Sequence, residues 1–133
     1  NRNSTTGILT YNSCFRSGVE VVSYFNYCSV AQGIKGAIGG VVSPDGDYYY
    51  VAGLLSSAIA IFSINGDNTL TYVSCIRQTN MTVATCSSEA DGLSGVRWVE
   101  ISDDGQHLYA SGPAQAATSS RNRTSRARDS TRS

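Results

Sequence analysis

The chain has one histidine, one tryptophan, one methionine and two prolines among its 133 residues. Nowhere do the roughly 18 consecutive apolar residues of a membrane-spanning helix occur. Only 15% of residues are charged and the formal net charge is zero, so the chain as a whole is not the basic kind that nucleic acid selects. There is no glycine-rich phosphate loop, no G-x-S-x-G elbow and no EF-hand calcium loop. No segment holds a helical period between caps. No signal peptide is visible, and the chain starts at Asn1 rather than Met, which reads as a cut end and leaves open any targeting segment ahead of it.

What is present is a core-forming composition and a repeat. Apolar residues make up 41% of the chain, and eight tyrosines and three phenylalanines give them bulk. "SPDGDYYYVAG" (Ser43–Gly53) returns as "SDDGQHLYASG" (Ser102–Gly112), 59 residues on. The flanks return too. "TTGILTYNSC" (Thr5–Cys14) matches "GDNTLTYVSC" (Gly66–Cys75), and "GIKGAIGGVVS" (Gly33–Ser43) matches "GLSGVRWVEIS" (Gly92–Ser102). The offset drifts from 61 at Cys14/Cys75 to 58 at Cys28/Cys86. Such drift is expected where length changes collect in loops and strands stay fixed.

Each unit reads as strands. Residues 96–101 alternate, with Val99 and Ile101 on one face and Trp98 and Glu100 on the other. "SPDG" sets Pro44 where φ near −65° suits a turn and Gly46 where a positive φ is wanted; "SDDG" keeps the glycine. Tyr48–Ala52, the β-branched run Ala58–Phe62, the turn Asn65–Asn68 and Leu70–Ser74 complete a four-stranded antiparallel meander over residues 37–75. Thr5–Cys14 is then the last strand of a preceding unit, and residues 96–112 the first two strands of a following one. This phrase resembles the lactonase-like, YVTN-type propeller repeat. The resemblance implies an all-β fold, a partial β-propeller built from four-stranded antiparallel blades: one complete blade plus parts of two neighbours. The expected divisions are 1–32 (last strand of the preceding blade and a Cys-bearing loop), 33–91 (complete blade and second Cys-bearing loop), 92–113 (first hairpin of the next blade) and 114–133 (disordered basic tail). About three or more repeats are needed for stability, so the rest of the parent's blades are the first expected partner.

Cys14 and Cys28 lie in the first long loop, Cys75 and Cys86 in the second. Local disulfides, Cys14–Cys28 and Cys75–Cys86, are the simplest of three connectivities, and they imply an oxidising compartment. Free thiols are the alternative; zinc would want closer cysteine pairs. Asn3, Asn80 and Asn122 head N-x-S/T sequons. Asn80 lies within a loop and suits a glycan best, with Asn3 behind it, although chance accounts for such triplets equally well in a chain rich in Ser, Thr and Asn.

Residues 1–113 hold five basic and nine acidic side chains, whereas residues 114–133 hold five arginines against Asp129 alone. A basic tail suits nucleic acid or anionic lipid. With no aromatic and no Val, Ile, Leu or Phe, this one reads instead as a disordered or non-native segment that forms no third strand, and no nucleic-acid partner is expected.

The chemistry-bearing residues are scattered. His107 is expected at a half-buried, structural position on a strand. Asp45, Asp47, Asp103 and Asp104 read as turn residues rather than as a calcium site. Arg97 and Glu100 are the best candidates for lining a central channel and touching a ligand. The first unit has Ile38 and Val41 in those places. No cofactor and no metal is expected. The favoured reading is a piece of a secreted or cell-surface scaffold whose blade loops bind a protein or carbohydrate. The alternative, implied by the family resemblance, is part of an enzyme that hydrolyses a sugar lactone.

Overall fold

The structure, a computed structural model, describes residues 2–18, 27–82, 84–113 and 116–120. The described residues are all-β and contain no helix. In chain order the strands are β1 (Phe15–Ser17), β2 (Ser29–Ala31), β3 (Ala37–Val42), β4 (Tyr48–Gly53), β5 (Ala58–Ile64), β6 (Leu70–Gln78), β7 (Ser88–Ala90), β8 (Trp98–Ile101), β9 (His107–Ser111) and β10 (Ala116–Ser120). They form a pair β1-β2, a five-stranded sheet β3-β4-β5-β6-β7 and a three-stranded sheet β10-β9-β8.

Strands β3 to β6 are the antiparallel meander that the turns and strand-forming runs of residues 37–75 predict. Its first hairpin is held by side chains as well as backbone. The Ser43 hydroxyl donates to the Asp45 carboxylate and accepts the Tyr48 N–H at 2.9 Å, while the Asp47 N–H reaches Asp45 at 3.0 Å. The second copy repeats this bond for bond. Ser102 donates to Asp104 at 2.5 Å, His107 N–H to Ser102 at 3.0 Å and Gln106 N–H to Asp104 at 3.0 Å. Gly46 and Gly105 take φ of 80° and 69°, a region closed to most side chains. The doubled phrase is therefore a complete local instruction for a hairpin.

Packing uses both faces of the central sheet. One face carries Tyr50, Ala52 and Ile59 against Leu93, Val96, Val99 and Ala110 of the following unit. The other carries Val51, Ala60, Phe62 and Cys75 against Ala31 and Phe15. Phe15 and Phe62 meet edge to face with ring centroids 4.9 Å apart, and Tyr72 approaches Phe62 the same way at 5.7 Å. Burial on both sides is why "YYYVAG" and "AIAIF" read as near-continuous apolar runs.

Four features depart from the sequence reading. First, no strand spans Thr5–Cys14; that stretch makes one isolated antiparallel bridge, Arg2 to Leu9, and the paired segment lies just beyond it at β1. An outer strand needs a neighbour's backbone groups, and none of the described residues offers them there. Second, each cysteine-bearing loop ends in a short strand that runs parallel to the strand it left: β2 along β1 and β7 along β6. Third, Ala116–Ser120 does form a third strand on β9, with Ala116 opposite Ser111 and Ser120 opposite His107. Backbone pairing needs no apolar side chains, so composition alone did not reveal it. The rest of the expected basic tail, residues 121–133, lies outside the described residues, Asn122 included. Fourth, Val96 and Val99 are both buried, which strict alternation forbids. Val96 lies ahead of β8, which begins at Trp98, and the matching stretch of β3 shifts register between Ala37 and Gly39, around Ile38, the position that matches Arg97.

Candidate functional site

The two cysteine loops are built alike. Cys14 is bonded to Cys28 and Cys75 to Cys86, and the described residues contain no free cysteine. Each bridge sits just before the paired stretches of two parallel strands, Cys14–Cys28 ahead of β1 and β2 and Cys75–Cys86 ahead of the β6–β7 pairing. Parallel neighbours ordinarily need a connection of about a dozen residues or more. The bridge clamps the base of a tighter one. The shared phrase Cys-x-Arg then matters: Arg77, two residues after Cys75, donates to the Met81 carbonyl at 2.5 Å and the Ala84 carbonyl at 3.3 Å, and pairs with Glu89 of β7. Arg16 holds the matching place after Cys14. The sequence reading passed over both arginines, although the recurrence of Cys-Phe-Arg and Cys-Ile-Arg was a visible signal. Gln78 completes the junction, its side-chain oxygen accepting the Leu93 and Ser94 N–H groups at 2.7 and 3.0 Å.

A turn with serine, aspartate and histidine invites comparison with a catalytic triad. The geometry of Ser102, Asp104 and His107 rules against it. The serine hydroxyl donates directly to the aspartate, and its oxygen takes the backbone N–H of His107, not the ring. A nucleophile needs the imidazole between itself and the acid. The first copy makes the same bonds with Tyr48 in place of histidine, so the arrangement is structural. The bond from Ser102, with help from the Gln106 N–H, holds the Asp104 carboxyl below its ordinary value. His107 is exposed rather than half-buried, because its face of β9 has no sheet against it among the described residues. Asp45 and Asp104 are each engaged by their own turn, and no cluster of three or more His, Cys, Asp or Glu side chains occurs among the described residues.

Arg97 and Glu100 sit at a different place, the edge where β3 and β8 run side by side. The approach is closest at Gly39, where a Cβ would stand 2.6 Å from the Arg97 carbonyl oxygen. Arg97 donates its backbone N–H to Ser111 at 2.8 Å, and its side chain is exposed, as is that of Glu100. Among the described residues no hydrogen bond or ion pair joins the two side chains. Bulges turn a side chain away from the alternation of its strand, and Ile38 and Arg97 share that position. Trp98 next to them is 64% exposed.

Two recesses adjoin this edge and share Ala37. One, of ≈ 250 Å³, lies over Ala37–Gly40 with Tyr49 and Val51. The other, of ≈ 430 Å³, is lined by Tyr11, Phe15, Arg16, Tyr27, Ile34 and Lys35 among others. Its apolar wall has a counterpart in the next unit. Ile76 and Leu93, which match Phe15 and Ile34, are packed in the core with Tyr50 and Ile59. Phe15 and Ile34 pack instead against the cluster of Val51, Ala60, Phe62 and Cys75 on the other face of the central sheet.

A protein-family description, Arylesterase, matches residues 7–130. No curated protein matches the chain. Among solved structures, a Lactobacillus plantarum protein is 30% identical over 59% of this chain and 21% of its own, with a TM-score of 0.46. A Bacteroides uniformis protein described as a candidate 6-phosphogluconolactonase is 24% identical over 65% of this chain and 26% of its own, with a TM-score of 0.45. The chain thus spans 21% and 26% of the length of these two proteins.

Proposed function

The chain belongs to the arylesterase family, and from that premise we propose that it supplies part of a propeller-built enzyme that hydrolyses aryl esters or lactones, rather than the binding scaffold that the sequence alone favours. The observation that carries this reading is the family match, which runs through both repeat units. The meander β3–β6, buried on both faces, and the second copy of its first hairpin support a ring of such units closed by further blades of a longer parent. The ≈ 430 Å³ recess is then a packing surface for the preceding blade. The two disulfides fit an oxidising environment, and they support an extracellular or cell-surface location as part of this reading.

Aryl esters and lactones share one reacting group, a carboxyl carbonyl with an oxygen leaving group. Its hydrolysis needs a water stripped of a proton as it attacks, and a positive or hydrogen-bonding partner for the oxyanion that forms. Within this chain the β3–β8 edge offers one group of each kind. Arg97 carries a permanent positive charge suited to the oxyanion, and Glu100 a carboxylate suited to take the water's proton. Neither suffices alone, and the other blades supply the remaining groups and exclude bulk water.

Phenyl acetate and a δ-lactone, offered to the protein that carries this chain at its natural length, test the proposal. Hydrolysis is expected, with losses of about 100-fold in Arg97→Ala and Glu100→Ala. Turnover unchanged in both variants would keep the hydrolase and remove these residues from its site. Absence of turnover on every ester and lactone tried would return the chain to a scaffold role.

A further inference from the structure

We propose that Asn80 accepts an N-linked oligosaccharide. Asn80-Met81-Thr82 has the acceptor pattern, and the structure puts it on the loop from β6 to β7, with Asn80 and Thr82 both exposed. Asn80 holds a left-handed backbone, φ 63°, in a turn closed by the Met81 N–H on the Gln78 carbonyl at 3.2 Å. The Asn80 carboxamide belongs to an exposed residue of this turn. That carboxamide makes no hydrogen bond among the described residues.

Asn3, the other described acceptor triplet, differs on this point. Its side-chain oxygen accepts the N–H groups of both Thr5 and Thr6 at 2.9 Å, so the amide is already spent in folding its own turn. A glycan there would compete with local structure, and one at Asn80 would not. The Asn80 loop is also fixed from beneath, by the Cys75–Cys86 bridge and by Arg77 on the Met81 and Ala84 carbonyls. A bulky polar group on this loop displaces nothing buried. Disulfide formation and oligosaccharide transfer belong to the same oxidising secretory route, so one compartment serves both modifications.

The donor is a lipid diphosphate-linked oligosaccharide. Asn80 Nδ2 forms a bond to the anomeric carbon of the first sugar. The bond from that carbon to the diphosphate oxygen breaks, the lipid diphosphate leaves with the electron pair, and the nitrogen's proton passes to a base of the transferase. No oxidant or reductant is required. The glycan would stand beside β7, the outer edge strand of the five-stranded sheet, where an unpaired backbone edge otherwise invites a second chain.

The full chain, directed into the secretory pathway of a eukaryotic host behind a leader, provides the test. Peptide-N-glycosidase F in heavy-oxygen water converts a glycosylated Asn to a heavy-labelled Asp, and peptide mapping then locates it. The label is expected at Asn80 and absent from Asn3. Thr82→Ala should abolish it and Thr82→Ser should keep it. Secreted, disulfide-bonded wild-type chain with Asn80 unmodified overturns the proposal whatever the variants do. A label at Asn3 with Asn80 bare overturns it as well.

Discussion

The central sheet and the sheet that follows it are written with one phrase and meet different neighbours. Their hairpins match bond for bond, from the serine–aspartate contact to the positive φ of the glycine. Their burial does not match. Tyr50 is 8% exposed and its counterpart Tyr109 is 47% exposed. Ala52 is buried and its counterpart Ser111 is exposed. Gly39 lies against β8, and its counterpart Trp98, which covers it from that strand, is itself 64% exposed. The turn is thus a property of the local sequence, and burial is a property of what lies alongside. Alanine at 52 and serine at 111 register that difference in the sequence itself.

The largest test of the contrast is a matched pair of truncations. Tyr50→Ala should cost about 4 kcal/mol, because it empties space at the interface between the sheets. Tyr109→Ala should cost less than about 0.5 kcal/mol. Urea unfolding curves give both numbers, and equal costs would mean that the two faces are equally covered. Next come the bridges. Opening Cys75–Cys86 by a double Cys→Ala change should cost about 3 kcal/mol in the chain-entropy account. Calorimetry should show the midpoint falling, and limited proteolysis below that midpoint should show new cleavage in the β6–β7 loop.

A smaller effect belongs to the edge. Gly39→Ala should destabilise by about 2 kcal/mol, since its Cβ meets a backbone oxygen that cannot swing aside. Trp98→Ala, at the matching place, should be near neutral. If both are neutral, β3 and β8 do not approach as closely as described. The smallest effect sharpens the likeness instead. Ser43→Ala and Ser102→Ala should each cost about 1 kcal/mol, because both remove the same hydroxyl from the same turn. Asp104 adds a pH signature. Its carboxyl is held below the ordinary value in the folded chain, so its contribution is present above the unfolded value and lost as pH falls through the folded one. In Ser102→Ala the Asp104 titration followed by NMR should move back upward; a titration that stays in place would detach Asp104 from the serine.

The meander was legible because its signals are local. Pro44 and Gly46 mark a turn, Tyr48–Ala52 and Ala58–Phe62 read as buried strands, and the cysteines pair within their own loops. The features that escaped are made by backbone or by neighbours. Ser88–Ala90 and Ala116–Ser120 pair through N–H and C=O groups and carry no apolar rhythm. The register shift at Ile38 moves the alternation by one residue, which a period-two reading takes for continuity. Of the candidate site, Arg97 and Glu100 stood out as charges in an apolar strand. Arg77 did not, since its role depends on carbonyls that only the folded loop brings to it.

Amide hydrogen exchange across the whole chain tests the central contrast most directly, because it compares the two copies within one molecule. Exchange by opening reports how much packing holds each hydrogen-bonded strand in place. The amides of Tyr49–Ala52 and Ile59–Phe62 should be the slowest in the chain. Those of Leu108–Ser111, in the same phrase and with the same strand pairing, should exchange at least about 100-fold faster, the equivalent of roughly 3 kcal/mol less protection. Equal protection of the two copies would contradict the account, since it would show that the hairpin phrase alone sets stability and that the neighbouring sheet contributes nothing.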